Sequence, residues 1–190
     1  NPSAARSEVA RLCRLHPQQP ALHNFQGVLL SEAGDPAAAA EAFQRALALE
    51  PGFTEALNNL ASVLGRLRRN DEALACFEAL LKRIKDDPEL HFNYGNTLLH
   101  AGQQRKACSA FAEALQLRPF YPQAHNNLGN ALQALGEREQ AIASYENAVA
   151  LDPDFLGARR NLASALYRAE RYVSAEAEYR AVLERHPGDA

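Results

Sequence analysis

A 34-residue repeat runs through almost the whole chain and constrains its fold more than any other feature of the sequence. In rows of 34 starting at Pro20, column 20 holds alanine in all five rows, and column 24 holds Phe or Tyr. Column 11 is always Leu, and column 8 is always Gly or Ala. A fixed period of this length is typical of solenoids, in which each repeat buries its apolar face only against its neighbours. In column order 20, 24, 11 and 8, the residues are Ala39, Ala73, Ala107, Ala141 and Ala175; Phe43, Phe77, Phe111, Tyr145 and Tyr179; Leu30, Leu64, Leu98, Leu132 and Leu166; and Gly27, Ala61, Gly95, Gly129 and Ala163.

Each row carries two helical patterns separated by a turn. In row four, apolar residues recur at spacings of three and four from Ala124 to Leu135, which places them on one face of a helix. A second pattern of the same kind runs from Ala141 to Val149. Each row therefore predicts a pair of antiparallel helices, and stacking of the pairs buries their apolar faces.

Turn and cap residues mark the helix ends. Gly34, Gly102 and Gly136 share the column between the two helices of a row, where a left-handed C-terminal residue is favoured. Asp35 and Asp87 each precede a proline, which predicts an N-cap followed by proline at the first helical position.

The column pattern resembles the tetratricopeptide repeat, whose signature runs W-x2-L-G-x2-Y, then A-x3-F, then P. The resemblance covers residues 20–189 and implies an all-α, right-handed superhelical solenoid of antiparallel helix pairs, with about five and a half repeats. Row two departs from the signature with Lys85 in the proline column. The family's column-4 tryptophan is replaced throughout, by His23, Leu57, His91, His125 and Arg159.

The period also sets the expected boundaries within one solenoid domain. Residues 1–19 are expected to supply only the second helix of a partial N-terminal repeat. Five whole repeats are expected to follow at residues 20–53, 54–87, 88–121, 122–155 and 156–189.

Composition and motifs exclude several functional classes. The net charge is −3, so the chain lacks the basic excess that neutralises nucleic-acid phosphates, and no apolar run is long enough for membrane insertion. Cys13, Cys76 and Cys108 form no CxxC pair, which favours a reducing compartment, and we expect the chain to be cytoplasmic. No nucleotide, metalloprotease or hydrolase motif occurs, so we expect neither enzymatic activity in these residues nor a cofactor.

The resemblance implies a concave groove lined by the first helix of each pair, and asparagines recur on that helix. They occupy column 6 in rows two to five and column 9 in rows three and four. An amide side chain offers the acceptor and the donors that a peptide group needs, so a ladder of asparagines could grip an extended peptide by its backbone. The ladder is similar to that in the repeats of O-linked N-acetylglucosamine transferases, although asparagine in this column could instead serve packing. The predicted peptide-binding residues, called the groove asparagines below, are Asn59, Asn93, Asn96, Asn127, Asn130 and Asn161.

The pattern offers three other candidate sites. Some members of the family bind acidic C-terminal tails through a carboxylate clamp, which needs basic residues in columns 2, 5 and 6. This chain has mostly neutral or acidic residues in those columns, so the pattern disfavours a clamp. Arg159, Arg160 and Arg168 could contact an anion or an acidic peptide, or could form a solvated basic surface. A shared metal at His23, His91 and His125 is disfavoured, because side chains one repeat apart cannot easily converge on one ion.

The sequence therefore predicts a protein–protein interaction scaffold that binds an extended peptide or protein segment. The alternatives are a substrate-recruiting arm of a larger enzyme, such as a glycosyltransferase, and a structural assembly module. The chain starts with half a helix pair and ends without a capping helix, so we expect apolar ends that could self-associate.

Overall fold

The computed structural model describes residues 2–185, which form eleven α-helices and no strand. The all-α, tetratricopeptide-like fold class predicted from the period is therefore confirmed. The helices are α1 (Pro2–Leu15), α2 (Pro20–Glu32), α3 (Pro36–Leu49), α4 (Thr54–Arg66), α5 (Asn70–Leu81), α6 (Pro88–His100), α7 (Gln104–Leu117), α8 (Pro122–Leu135), α9 (Arg138–Leu151), α10 (Leu156–Arg168) and α11 (Tyr172–Arg185).

The chain divides into two compact units, Asn1–Lys85 and Asp86–Ala190. Unit 1 contains α1 to α5, and unit 2 contains α6 to α11. In each unit, consecutive helices pack as hairpins, with α2 on α3 and α4 on α5 in unit 1. In unit 2 the hairpins are α6 with α7, α8 with α9, and α10 with α11. The first helix of every hairpin begins at the residue that opens a 34-residue row.

A close contact between a small residue and an aromatic ring fixes the spacing of the helices in a hairpin. In the first whole hairpin, a Cβ atom added to Gly27 would lie 2.5 Å from Cε1 of Phe43. At Gly129, a Cβ atom would lie 2.5 Å from Cε1 of Tyr145. Both rings are 1% exposed, so neither can move aside into solvent. The glycines therefore let the rings fill the space between the helices at native packing density.

The turn between the two helices of a hairpin has the same conformation in all five rows. The residue in this column has a positive φ, between 60° and 82°, in each row. The backbone N–H of the next residue donates to the carbonyl of the column-11 leucine, as from Asp35 to Leu30 at 3.0 Å. This bonding is that of a Schellman C-cap. The residues with positive φ are Gly34, Arg68, Gly102, Gly136 and Glu170.

Two aspartates cap helices as the sequence predicts. Asp35 Oδ1 accepts from the backbone N–H of Ala38 at 3.1 Å, at the start of α3. Asp87 Oδ1 accepts from the N–H groups of Glu89 at 2.9 Å and Leu90 at 3.2 Å, at the start of α6. Each carboxylate satisfies donors that the helix itself leaves unpaired.

We predict that Gly27→Ala lowers the free energy of unfolding by about 1–2 kcal/mol. The added methyl must displace the buried Phe43 ring, and this overpacking outweighs the gain in helix propensity. Gly52→Ala is the matched control, because its Cβ atom would lie 3.7 Å from the exposed Arg83 guanidinium and meet nothing closer. Urea denaturation compares the two variants. Equal stability would contradict the assigned contact.

Candidate functional site

The first helices of the three hairpins in unit 2 lie side by side. Helix α8 contacts both α6 and α10. This arrangement brings Asn96 of α6, Asn127 and Asn130 of α8, and Asn161 of α10 into one hydrogen-bonded network. All four side chains are half-buried.

Amide hydrogen bonds link each of these helices to the next. Asn127 Nδ2 donates to Asn96 Oδ1 at 2.7 Å, which connects α8 with α6. Asn161 Nδ2 donates to Asn126 Oδ1 at 2.9 Å and to Asn130 Oδ1 at 3.2 Å, which connects α10 with α8. The network therefore crosses all three helices.

Contacts within the α8–α9 hairpin complete the network. Asn126 Nδ2 donates to Asn127 Oδ1 at 2.9 Å, and Asn130 Nδ2 approaches the same oxygen at 3.4 Å. The Tyr145 hydroxyl donates to Asn130 Oδ1 at 2.8 Å and lies 3.3 Å from Gln133 Oε1. Burial raises the pKa of Tyr145 to about 12, and the nearby positive charge of Arg168 opposes the rise. The phenol therefore stays a neutral donor across the physiological pH range.

The network leaves an ordered set of amide atoms for a ligand. An asparagine amide has two N–H donors and one oxygen with two lone pairs. Asn127 uses both lone pairs and one N–H, so one donor remains. Asn96 uses only its oxygen in the hydrogen bonds of the described residues, so its NH2 group remains. Asn161 uses both N–H groups, so its oxygen remains.

Asn93 takes a different position from the other groove asparagines of unit 2. It is half-buried on α6, and its backbone carbonyl accepts from Thr97 Oγ1 at 3.0 Å. The described amide network runs through Asn96, one turn further along the helix, and not through Asn93.

A shorter version of the network occurs in unit 1. Asn59 Nδ2 donates to Asn24 Oδ1 at 3.1 Å, which links α4 to α2. Asn24 Nδ2 donates to Glu55 Oε1 at 2.9 Å. Asn59 also lines a shallow cavity of about 150 Å³ together with Val28 and Arg66.

The buried partners of these asparagines are not among the residues predicted from the repeat pattern. Asn24 and Asn126 are 5% and 7% exposed, and both occupy column 5, which the sequence pattern suggests only as a clamp position. Each lies 35 residues before the groove asparagine that it accepts from, Asn59 or Asn161. A pair of asparagines separated by 35 residues, which is one repeat period plus one residue, is the sequence pattern that identifies these contacts.

Column 4, where the family has tryptophan, has a structural role in three rows. His23 Nε2 lies 2.9 Å from the carbonyl oxygen of Pro17, and His125 Nε2 lies 3.2 Å from that of Pro119. Arg159 donates to the Pro153 carbonyl at 3.0 Å. Each side chain therefore holds the turn that precedes its own helix.

The three arginines grouped from the sequence do not form one surface. Arg159 is 8% exposed and forms an ion pair with Glu178 at 2.5 Å, so it belongs to the packing of α10 on α11. Arg160 and Arg168 are both exposed. Arg168 lines a cavity in unit 2.

Exposed apolar side chains cluster on the last hairpin. Five residues of α10 and α11 are at least 42% exposed, although each has a large apolar group. The rings of Tyr167 and Tyr172 meet edge to face at 5.4 Å. Self-association through the ends stays a prediction. The five residues are Tyr167, Tyr172, Val173, Tyr179 and Leu183.

Within residues 2–185, no helix combines the length and the apolar character needed to cross a membrane.

We predict that Asn126→Ala lowers the free energy of unfolding by about 1–3 kcal/mol, since it removes two hydrogen bonds of a buried amide, one donated to Asn127 and one accepted from Asn161. Asn147→Ala is the control, because it removes an exposed amide from the interior of α9 with the same change in helix propensity. Chemical denaturation of both variants measures the difference. A loss no larger than that of the control would show that the network adds nothing to stability.

Family models and solved structures agree with the observed fold. Three family models match the chain. One described as tetratricopeptide repeat matches residues 1–52 and 126–190, and a second with the same description matches residues 30–92. A third, described as TPR repeat, matches residues 95–136. MamA (residues 41 to the end) from Desulfovibrio magneticus RS-1 superposes with a TM-score of 0.83 at 21% identity, over 90% of this chain and 97% of that chain.

Two further solved structures are similar. YrrB, described as a TPR protein with an unusual peptide-binding site, has a TM-score of 0.75 at 18% identity, over 95% of this chain and 93% of that chain. TTC0263, a thermophilic TPR protein in Thermus thermophilus, has a TM-score of 0.69 at 28% identity, over 90% of this chain and 93% of that chain. No curated protein sequence matches the chain significantly. The repeat columns, the helix hairpins and the family models together place this chain in the tetratricopeptide repeat family.

Proposed function

We propose that this chain is a protein-interaction scaffold that binds an extended peptide segment through its groove asparagines. The observation that carries the proposal is the set of amide atoms left by the network of unit 2. Asn96 and Asn127 keep N–H donors, and Asn161 keeps an acceptor, on side chains that are half-buried. A peptide group needs one donor and one acceptor, so the set matches a peptide backbone.

The spacing of the helices supports an extended ligand. Packed helices lie about 8–10 Å apart, so Asn127 on α8 and Asn161 on α10 are separated by about one helix spacing. Three extended residues span about 10 Å. A peptide crossing the first helices would therefore present one backbone group to each helix, with little dependence on its side chains.

The family supports the general class of function. Solenoid repeats expose extended surfaces to partner chains, and YrrB is described as having a peptide-binding site. Tetratricopeptide repeats are scaffolds that carry no chemistry of their own, and no catalytic motif occurs in the sequence. Binding, and not catalysis, is therefore the function assigned to these residues.

We assign peptide binding to unit 1 as well, although fewer residues support it there. Asn59 uses its NH2 group on Asn24, and it lines a shallow cavity to which Arg66 and Val28 also contribute. Asn59 is therefore the contact that unit 1 would offer to a bound segment.

A substrate-recruiting arm of a larger enzyme would use the same groove atoms as an independent scaffold. The two functions differ in what is joined to the chain and not in how the peptide is held. The full-length reading frame distinguishes them, because only the first predicts a catalytic domain in the same polypeptide.

The test is to select peptides from a random display library on the wild-type chain and to measure their affinity for Asn96→Asp. The aspartate keeps the oxygen that accepts from Asn127 but replaces the remaining NH2 group with a negatively charged carboxylate oxygen. We expect binding to weaken by about tenfold or more, the equivalent of about 1.4 kcal/mol, because a ligand carbonyl loses its donor. Fluorescence anisotropy with labelled peptides measures the change.

Asn147→Asp is the matched control, since it introduces the same charge on the exposed face of α9 in the same unit. Its affinity should equal that of the wild type. Equal binding by Asn96→Asp, or failure of the wild type to select any peptide, would overturn the proposal.

A further inference from the structure

A cavity of about 370 Å³ lies in unit 2 beyond the end of the asparagine network. Helix α8, the turn that follows it, the start of α9 and the end of α10 all contribute to its wall. Gln133 links the cavity to the network, because its Oε1 atom lies 3.3 Å from the Tyr145 hydroxyl that bonds Asn130. The lining residues are Gln133, Gly136, Arg138, Ala141, Ala165 and Arg168.

The cavity has an apolar floor and a rim of hydrogen-bond donors. Ala141 and Ala165 are 1% and 8% exposed and form the floor. Arg138 and Arg168 are exposed and carry the only charges among the lining residues. The oxygen of Gln133 faces Tyr145, so its NH2 group is the part left for a ligand. Such a rim favours an anion, because guanidinium groups donate and cannot accept.

Among the residues that the structure describes, these two arginines differ from Arg171 and Arg180 in forming no salt bridge. Arg171 pairs with Glu139 at 2.6 Å, and Arg180 pairs with Glu176 at 2.7 Å. Within the described residues, no salt bridge joins Arg138 or Arg168 to a carboxylate, although the exposed Glu137 adjoins Arg138 in sequence. An anion between two positive charges beside one cavity attracts both and so offsets their mutual repulsion.

We propose that this cavity binds the carboxylate side chain of an aspartate or glutamate in the peptide held by the groove, a proposal that rests on the function proposed above. Asn161 and Arg168 are seven residues apart on α10, about 10 Å along the helix. About three extended residues cover this distance. After it crosses α10, the peptide must therefore run along this helix to place the acidic residue about three residues beyond the one whose backbone contacts Asn161, and charge-assisted hydrogen bonds fix its register.

The sequence-selectivity test uses a synthetic array of random 12-residue peptides with amidated C-termini, which removes the terminal carboxylate. The wild type should enrich peptides that contain aspartate or glutamate. The R138Q/R168Q variant should lose this enrichment and bind the acidic peptides about tenfold more weakly, while it binds their Gln-substituted versions like the wild type. The R180Q variant, which removes a charge from α11 outside the cavity, should behave as the wild type. Captured peptides without an acidic preference, or an unchanged preference in R138Q/R168Q, would overturn the proposal.

A second measurement separates the cavity from the groove. The arginine Nε–Hε signals of the whole chain are followed by NMR during titration with N-acetyl-glutamic acid N-methylamide, with the glutamine analogue and with N-acetyl-alanine. We expect the signals of Arg138 and Arg168 to shift with the glutamate probe alone, while the signal of Arg180 stays unchanged. If these signals shift but the chain captures no peptide, the proposed groove function is wrong, while the assignment of the cavity as a carboxylate site is supported. Shifts with N-acetyl-alanine alone would assign the cavity to a terminal carboxylate and overturn the side-chain proposal.

Discussion

The contact between a glycine on one helix and an aromatic ring on the next determines how closely the helices pack in three of the hairpins, at Gly27, Gly95 and Gly129. Gly129 lets Tyr145 lie against the backbone of α8, and Gly27 does the same for Phe43 on α2. Because a methyl group added at either glycine would collide with the ring, the glycine sets how closely the two helices of these hairpins approach. The repeated spacing brings the first helices of neighbouring hairpins within reach of short amide side chains.

The asparagines on those helices combine packing with recognition. A buried amide that lacks a partner costs about 1–3 kcal/mol, so Asn126 is held between Asn127 and Asn161. The groove asparagines are less buried, and Asn96, Asn127 and Asn161 use only part of their hydrogen-bonding capacity on neighbouring helices. The same contacts that join the helices therefore orient the remaining donors and acceptors in advance, which lowers the entropy cost of binding a ligand.

The sequence predicts the fold well because the repeat period reflects local preferences of single residues for turns, helix caps and helix faces. The left-handed turns and the aspartate caps follow from single residues, and the structure confirms both Asp35 and Gly136 in those roles. The network was less predictable, since the contact between Asn126 and Asn161 joins two helices and depends on which faces meet.

Charged residues were the hardest to place from the sequence. Arg159 resembles a surface cation in the sequence but is buried against Glu178, because column 4 faces the following helix. Arg138 lies outside the predicted site, since it reaches the cavity from α9, while the predicted site lies on the first helices of the hairpins. Such contacts depend on tertiary packing, which the repeat pattern does not encode.

NMR of the asparagine side-chain amides, with and without a captured peptide, tests the central claim most directly. The account predicts that the NH2 signals of Asn96 and Asn127 shift on binding, because their free N–H groups take up ligand carbonyls. The buried Asn126 and the exposed Asn147 on α9 should change little. Shifts at Asn147 with none at Asn96 would place the ligand on another surface and contradict the account.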